Sequence, residues 1–369
     1  MARYRVDLTD RAGNVLGVLP PSGKGSGGLT YGTTINGGGS ATVTPRLTLP
    51  LISGANRDNL HSWASEIVIH RVDGPGELGP VFAGPVVKPG ANLDQETLSI
   101  EARPVWAWLA ERIILDNLVY KQREQTQAAA DLIRRYTTGL GEDGDIRLDL
   151  APFTRTTDLI DRTYAATDNK TVDVAVADLA SPGTGFDFDI VLRTDPRTGL
   201  VTRTWQPFYP QMGRRVERPL TPGRGGLRSF GASRAKNIAT WIIGDGAGDG
   251  PAHLAVTVKA PASASARYGI HMQALSLRDT TVKTTLFRQA QEYLRHRTPP
   301  VSIITFSYVV SQTVPFGFVS IGDSVRVRVD RGWLFYDNWV RIIGQSVAVD
   351  ASGQEVVTCT AEGVPGLTE

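Results

Sequence analysis

A mainly β architecture, two barrel-like domains each carrying an inserted subdomain, is what the sequence predicts, and three observations predict it. First, 39 glycines and 22 prolines among 369 residues make about one residue in six a backbone breaker. In a chain that folds, so many breakers imply many short elements, and therefore strands. Second, short runs of alternating apolar and polar residues fill the first hundred and the last hundred and fifty positions. Third, the stretch between them changes to helical spacing and mixed α+β texture. A hydrophobic share of 41% and a charged share of 21% exclude bulk disorder, and the glycines have no three-residue period, which excludes collagen.

Residues 3–19 read as a hairpin. Tyr4, Val6 and Leu8 alternate with polar neighbours, and Asp10-Arg11-Ala12-Gly13-Asn14 supplies the turn. Residues 20–28 are rich in Gly, Ser and Pro and read as a mobile loop. Strands follow at 29–35 and 41–49, then at 66–72 and 81–88 around Asp73-Gly74-Pro75-Gly76, and at 98–102. This set makes the first β-barrel domain, 1–105.

From 106 to 215 the pattern is that of an α+β insertion. Ala128, Ala129, Leu132, Ile133 and Tyr136 share a helix face over 125–136. A second helix is expected at 172–179, capped by Asp168 or Asn169 and ended by Ser181-Pro182-Gly183. Residues 186–193 and 200–208 make a hairpin around Asp195-Pro196-Arg197-Thr198-Gly199. Residues 219–226 read as a linker into the second β-barrel domain, 216–369. Its strands are expected at 227–233, 237–243, 253–259, 301–310, 324–329, 339–343 and 355–360. A helical insertion lies near 276–298, where Val282, Leu286, Ala290, Tyr293 and Leu294 share a face, with Asp279 as cap and Pro299-Pro300 as stop.

The chemistry is sparse. Against 39 Lys and Arg stand 37 Asp and Glu, a net charge of +2, which argues against a strongly basic nucleic-acid binder and against an acidic tail. Cys359, in an alternating run, is the single cysteine, so it reads as a small strand residue, with no internal disulfide and no cysteine metal cage. His61, His70, His253, His271 and His296 show no i, i+4 pair. Gly244-Asp245-Gly246-Ala247-Gly248-Asp249-Gly250 lacks the spacing and terminal Glu of a calcium loop and reads as a strand-joining tip, as does Gly141-Glu142-Asp143-Gly144-Asp145. No phosphate loop or nucleophile elbow occurs, and no catalytic residue, metal or cofactor is predicted. No secretory h-region or membrane-length apolar run is present, so no membrane anchor is expected. Trp106 and Trp108 form one aromatic cluster. Trp333, Phe335, Tyr336 and Trp339 form another across a turn; core packing is the plain reading, and an interface anchor or a glycan platform the sharper one.

Several stretches, taken in order, resemble a known family. They are Pro80-Val81-Phe82-Ala83-Gly84-Pro85-Val86-Val87 before Thr97-Leu98-Ser99-Ile100-Glu101-Ala102 and Leu109-Ala110-Glu111-Arg112, then Thr184-Gly185-Phe186-Asp187-Phe188-Asp189-Ile190 with Arg197-Thr198-Gly199, and finally Gly322-Asp323-Ser324-Val325 followed by Arg341-Ile342-Ile343-Gly344. In this order the chain resembles the tail hub, or minor tail, proteins of long-tailed bacteriophages, related to the trimeric baseplate hub. The resemblance implies a non-enzymatic structural virion protein at the tail tip, assembled in the host cytoplasm. It implies a homotrimer whose two barrels per chain give a ring of six, matching a sixfold tail tube on one side and a threefold tip on the other. Implied partners are the distal tail protein, the tail tube, the tape measure protein, central fibre or tip proteins, and DNA in transit through a channel. Because the chain ends soon after its last strand, receptor-binding or lytic modules are expected on a separate protein. Two rival readings stay open: a carbohydrate-binding tail module, and a cell-wall hydrolase or protease. A cellular injection-system hub is a near variant.

Overall fold

The computed structural model describes residues 3–19, 28–45, 60–73, 77–94, 96–152, 159–180, 185–223, 226–234, 238–248, 250, 253–278, 280–295, 297–298, 302–332, 334–350 and 353–363. The fold is mainly β. The first block holds β1 (Arg3–Asp10), β2 (Val15–Leu19), β3 (Leu29–Thr34), β4 (Gly39–Val43), β5 (Ser65–Asp73), β6 (Glu77–Asn92) and β7 (Thr97–Ala102). The next stretch carries α1 (Ala107–Ala110), β8 (Leu118–Glu124), α2 (Gln125–Arg135), β9 (Leu148–Leu150), β10 (Leu159–Tyr164), α3 (Val172–Leu179), β11 (Asp187–Thr194) and β12 (Val201–Phe208). The last stretch holds β13 (Arg215–Leu220), β14 (Leu227–Arg234), β15 (Trp241–Asp245), β16 (Ala255–Lys259), α4 (Ala262–Tyr268), β17 (Met272–Ser276), α5 (Lys283–Arg295), β18 (Ser302–Val309), β19 (Ser324–Arg331), β20 (Leu334–Val349) and β21 (Glu355–Gly363). The loop expected at 20–28 lies outside the described residues apart from Gly28, as do the cap Asp279 and the stop Pro299-Pro300.

The first and last strand sets are hydrogen-bonded into one 13-stranded sheet, ordered β14-β18-β21-β20-β3-β4-β7-β6-β5-β1-β2, with β19 and β13 branching from β20. The path does not close on itself among the described residues. Two 16-residue strands organise it. β6 pairs with β5 through its first half and with β7 through its second. β20 pairs with β19 over Leu334–Arg341 and with β3 over Gly344–Val349, while β21 runs along its other edge. The consecutive runs β5-β6-β7 and β19-β20-β21 are thus two antiparallel meanders of one design, and β3 welds them at β20.

Alternation explains why these segments are strands. In β19, Val325, Val327 and Val329 are buried while Arg326, Arg328 and Asp330 point away. In β21, Val357, Cys359 and Ala361 turn to the same interior. One core serves both blocks: Val6, Ile67, Phe82 and Ile100 pack with Phe306, Tyr308, Val340 and Ile342.

The α+β stretch has its own core. The expected face of α2 is buried, with Ala128, Ala129, Leu132 and Ile133 each 0% exposed, and Tyr136 follows it inward. Trp106, Phe186, Phe188 and Trp205 complete this core. Asp168 and Asn169 do not cap α3. Asp168 lies in a 3-10 turn that left-handed Asn169 ends, and extended Thr171 precedes the helix. A third core forms where Leu286, Ala290 and Leu294 of α5 cover Ile242, Val256 and Val258 of the sheet β16-β15-β17. The linker expected at 219–226 is partly strand, because Pro219 and Leu220 belong to β13, which pairs parallel with β19. Proline fits there because β13 has β19 alone as a paired strand among the described residues.

Candidate interaction surfaces

The stretch from β7 to β13 is held to the main sheet by polar contacts that are almost dry. Arg203 of β12 meets Glu66 of β5 in a two-pronged pair, with side chains 4% and 2% exposed and the Nη1–Oε1 contact at 3.2 Å. Asp187 of β11 accepts the Met212 N–H at 2.6 Å and also pairs with Arg341 of β20. Asn36 Oδ1 accepts the Phe188 N–H at 3.0 Å, and Trp106 stacks on Phe188 with centroids 4.5 Å apart.

The Gly-Asp and Arg-Ile-x-Gly stretches meet at this same junction. Gly322 has φ +86° and Gly213 φ +99°, and a Cβ on Gly213 would lie 2.1 Å from the carbonyl of Gly322. Only glycine permits this left-handed backbone at such an approach. Next to it, buried Asp323 accepts N–H groups from Arg214 at 2.8 Å and Ser320 at 2.9 Å. These residues are therefore the mortar where the chain re-enters the sheet after β12.

The β19–β20 hairpin is closed by the pair Arg331 and Leu334. Strand alternation separates the predicted aromatics. Phe335 and Trp339 lie on the outer face; Phe335 is 70% exposed, and the Arg215 guanidinium covers the Trp339 ring at 4.0 Å. Tyr336 turns inward onto Phe230, centroids 5.1 Å apart, and burial pushes its phenol up to about 12. Trp333 lies outside the described residues. Between the two outer aromatics, Asp337 accepts Arg326 at 2.7 Å and Arg328 at 3.5 Å. The outer face is thus a ladder of aromatic rings, guanidinium groups and one carboxylate.

A cleft of about 260 Å³ opens between β3, β6 and β11. Thr34, Phe82, Val105, Asp189, Ile190 and Leu192 are among the residues that line it. Pro207 of β12 stands opposite Phe188 and has no N–H to give, so the amides of Phe188, Ile190 and Leu192 turn to the free edge of β11. Asp189 Oδ1 accepts the Ile190 N–H at 2.8 Å, and no cation pairs with Asp189 among the described residues. Burial raises its carboxyl above the usual range. The sequence offered no sign of this cleft, since Asp189 looks like any strand carboxylate until β6 is laid beside it.

The remaining predicted features have local partners. Asp245 is engaged by His253 and, at 3.3 Å, by Arg278, while Asp249 lies outside the described residues. Arg11 donates to the carbonyls of Asp143 at 2.6 Å and Asp145 at 3.3 Å. His70 is buried 3.4 Å from Asp7; His61, His253 and His271 are exposed; His296 lies outside the described residues. Among the described residues no group of three or more His, Cys, Asp or Glu is placed to hold a metal ion, and no helix is long and apolar enough to cross a membrane. Cys359 is 0% exposed and burial pushes its thiol up to about 12. At pH 8 that leaves about a thousandfold less thiolate than an ordinary cysteine of pKa ~8.5. Ellman's reagent is expected to leave the native protein untouched and to titrate one thiol after denaturant is added; prompt native reaction would contradict this placement.

No family model matches the chain, and no curated protein matches it in sequence. Its fold, however, is found among solved structures. The tail protein of Neisseria meningitidis superposes with a TM-score of 0.58 at 13% identity, covering 99% of this chain and 97% of that one. The 43 kDa tail protein of prophage MuSo2 from Shewanella oneidensis gives 0.58 at 12% identity, covering 97% and 98%. A prophage tail protein from Listeria monocytogenes gives 0.52 at 14% identity, covering 96% and 94%. The chain therefore has the fold of phage tail proteins from end to end.

Proposed function

We propose that this chain is a structural hub at the tip of a phage tail, three copies forming a ring that adapts a sixfold tube to a threefold tip around a channel. The observation that carries the reading is the end-to-end match in fold to tail proteins of nearly equal length. Two features of the chain support it. The meanders β5-β6-β7 and β19-β20-β21 give each copy two like-built halves, so three copies present six similar edges. The halves share one core and one sheet, which lets each copy act as a single body in the ring. On this reading domains 1–105, 106–215 and 216–369 act as two ring-forming units with the α+β insertion between them.

The distal tail protein, tube, tape measure and tip proteins are the partners this role calls for. DNA passes without being held, which suits a net charge of +2, because strong phosphate contacts would retard it. We read the outer ladder of β19–β20 as an interface rather than a glycan platform. The Arg215 guanidinium already occupies a face of Trp339, and salt-bridged arginines flank it. Light scattering of the purified protein at tens of micromolar should give the mass of a trimer, and negative-stain images should show a ring. A monomer at every concentration would overturn the reading.

A further inference from the structure

We propose that β14 of one copy adds as an antiparallel strand to the open edge of β6 of the next, at residues 88–92, in the way that β3 adds to β20 within each chain. The proposal rests on the ring reading and names the contact that closes the ring.

The two halves of the chain repeat one strand order. β3-β4-β7-β6-β5 in the first half and β14-β18-β21-β20-β19 in the second are antiparallel throughout. The same irregularity falls at the same place in both. β6 steps from Val86 to Lys88 where β7 steps from Ala102 to Glu101, and β20 steps from Ile342 to Gly344 where β21 steps from Ala361 to Thr360. Matching these steps lays Ala91 on Val347 and Leu93 on Val349. Carried across β4 and β18, the same match lays Phe230 on Leu29 and Ala232 on Tyr31.

The halves differ at one joint. β20 carries β3 on the edge away from β21 over 344–349, whereas β6 over 88–92 pairs with β7 alone and β14 pairs with β18 alone among the described residues. The positions that the first joint buries are open at the second. Val347, Val349, Leu29 and Tyr31 are buried, while Ala91 and Ala232 are exposed and Leu93 is 82% exposed. In the transferred register the pair Val347 and Tyr31 becomes Ala91 opposite Ala232, and the pair Val349 and Leu29 becomes Leu93 beside Phe230.

The backbone groups of both edges point the right way. The Leu98 N–H donates to the Pro45 carbonyl, away from β6, so Ala91 opposite it turns its own N–H and C=O to the open edge. The Val310 N–H donates to the Glu355 carbonyl, which fixes the alternation across β21 and β18 and leaves the N–H and C=O of Ala232 on the open edge of β14. Pro89 withholds one N–H from the joint and hinders indiscriminate pairing at β6. β14 has no such guard, because Ser229-Phe230-Gly231-Ala232-Ser233 carries neither charge nor proline. An unguarded edge of this kind is a template for another strand. Six strands lie between β14 and β6 in the sheet of one copy, and the two are not paired there. The contact therefore runs between copies and is head-to-tail, the type that generates a ring when its rotation closes. Three such joints would alternate with three β3–β20 joints, all built alike.

The test uses groups that the single copy leaves idle. Ala232→Pro removes an N–H that makes no bond to β18, and Leu93→Asp puts a charge where the joint would bury an apolar group. Each should weaken trimer assembly by about tenfold or more in light scattering, with circular dichroism and thermal midpoint matching the wild type. A second measurement does not depend on proline being tolerated. Gly90 and Ser233 are exposed and fall opposite each other in the transferred register, as Ser346 and Gly32 do within the chain, in the closely spaced kind of pair. Gly90→Cys combined with Ser233→Cys should give covalent trimers under copper-phenanthroline, and either cysteine alone should not; the buried Cys359 adds no background. Wild-type trimers that both substitutions leave unchanged, or that the cysteine pair fails to cross-link, would overturn the strand addition while leaving the ring reading intact. A monomeric wild type would overturn the ring reading and the strand addition with it.

Discussion

Replacing Arg203 by methionine should cost about 3–5 kcal/mol of stability, the range measured when one partner of a buried ion pair is removed. Glu66 would then hold a charge in a site where its side chain is 2% exposed, with no other cation to meet it among the described residues. The double variant Glu66→Leu with Arg203→Met should return close to the wild type, because neither charge is left stranded. Denaturation followed by tryptophan fluorescence reads this directly, since Trp205 is fully buried two positions along β12. A single variant that loses less than about 1 kcal/mol would show that water reaches the pair and that it contributes no more than a surface bridge. The pair is a poor bargain as pure stabilisation: Arg203 Nε is buried without a partner, and its contact to the Ile146 carbonyl is long at 3.5 Å. Its value lies in direction. An apolar contact lets the α+β insertion slide on β5, whereas a two-pronged guanidinium–carboxylate contact fixes one orientation. The double variant should therefore be stable yet looser, with faster hydrogen exchange along β9 and β12.

How much of this was legible in the sequence depends on range. Strands whose alternation is clean, such as β1, β19 and β21, could be read directly, as could the buried face of α2. β20 could be recognised only in part. Asp337 and Arg341 interrupt its apolar pattern because its outer face carries the guanidinium ladder, so it reads as a turn followed by a short strand. α4 is built from Ala262-Ser263-Ala264-Ser265-Ala266, which has no apolar stripe and buries no residue, so no periodicity announces it. β10 hides behind Arg162, a buried charge in a core-facing position that bonds Thr280. The polar ties were out of reach for a different reason. Glu66 and Arg203 are 137 positions apart, Asp187 and Arg341 are 154 apart, and Arg71 and Glu355 are 284 apart. Nothing local marks any of them, and only the fold brings them together. The aromatic cluster shows the reverse case. Its residues were easy to see, but the two-residue period of β20 sends Phe335 and Tyr336 to opposite faces.

Glu355→Ala is expected to loosen both halves of the main sheet at once, again at about 3–5 kcal/mol. Glu355 is 3% exposed at the start of β21, in the second half, yet its partners come from the first half. Arg71 of β5 donates Nε to Oε1 at 2.7 Å and Nη2 to Oε2 at 3.0 Å, and its guanidinium lies 4.1 Å over Phe316. Tyr4 of β1 donates to the same carboxylate and stands 3.1 Å from the hydroxyl of Tyr31 of β3. Burial pushes the phenols of Tyr4 and Tyr31 up, so both stay protonated as donors across the working pH range. Removing the carboxylate takes away the counter-charge that holds Arg71 and the acceptor of Tyr4 in one step. Glu355→Gln, which keeps an acceptor but no charge, should lose less. Hydrogen exchange distinguishes a shared body from two independent ones. With one core through both meanders, exchange should rise in β1, β5, β18 and β21 together; a rise confined to β18 and β21 would show that the halves fold separately and that the sheet merely touches at β3 and β20. The distinction bears on function because ring closure depends on the angle between the two halves of each copy. A copy whose halves flex at Glu355 admits open chains as well as rings, so the same variant should broaden the particle masses beyond trimer even where the wild type gives one species.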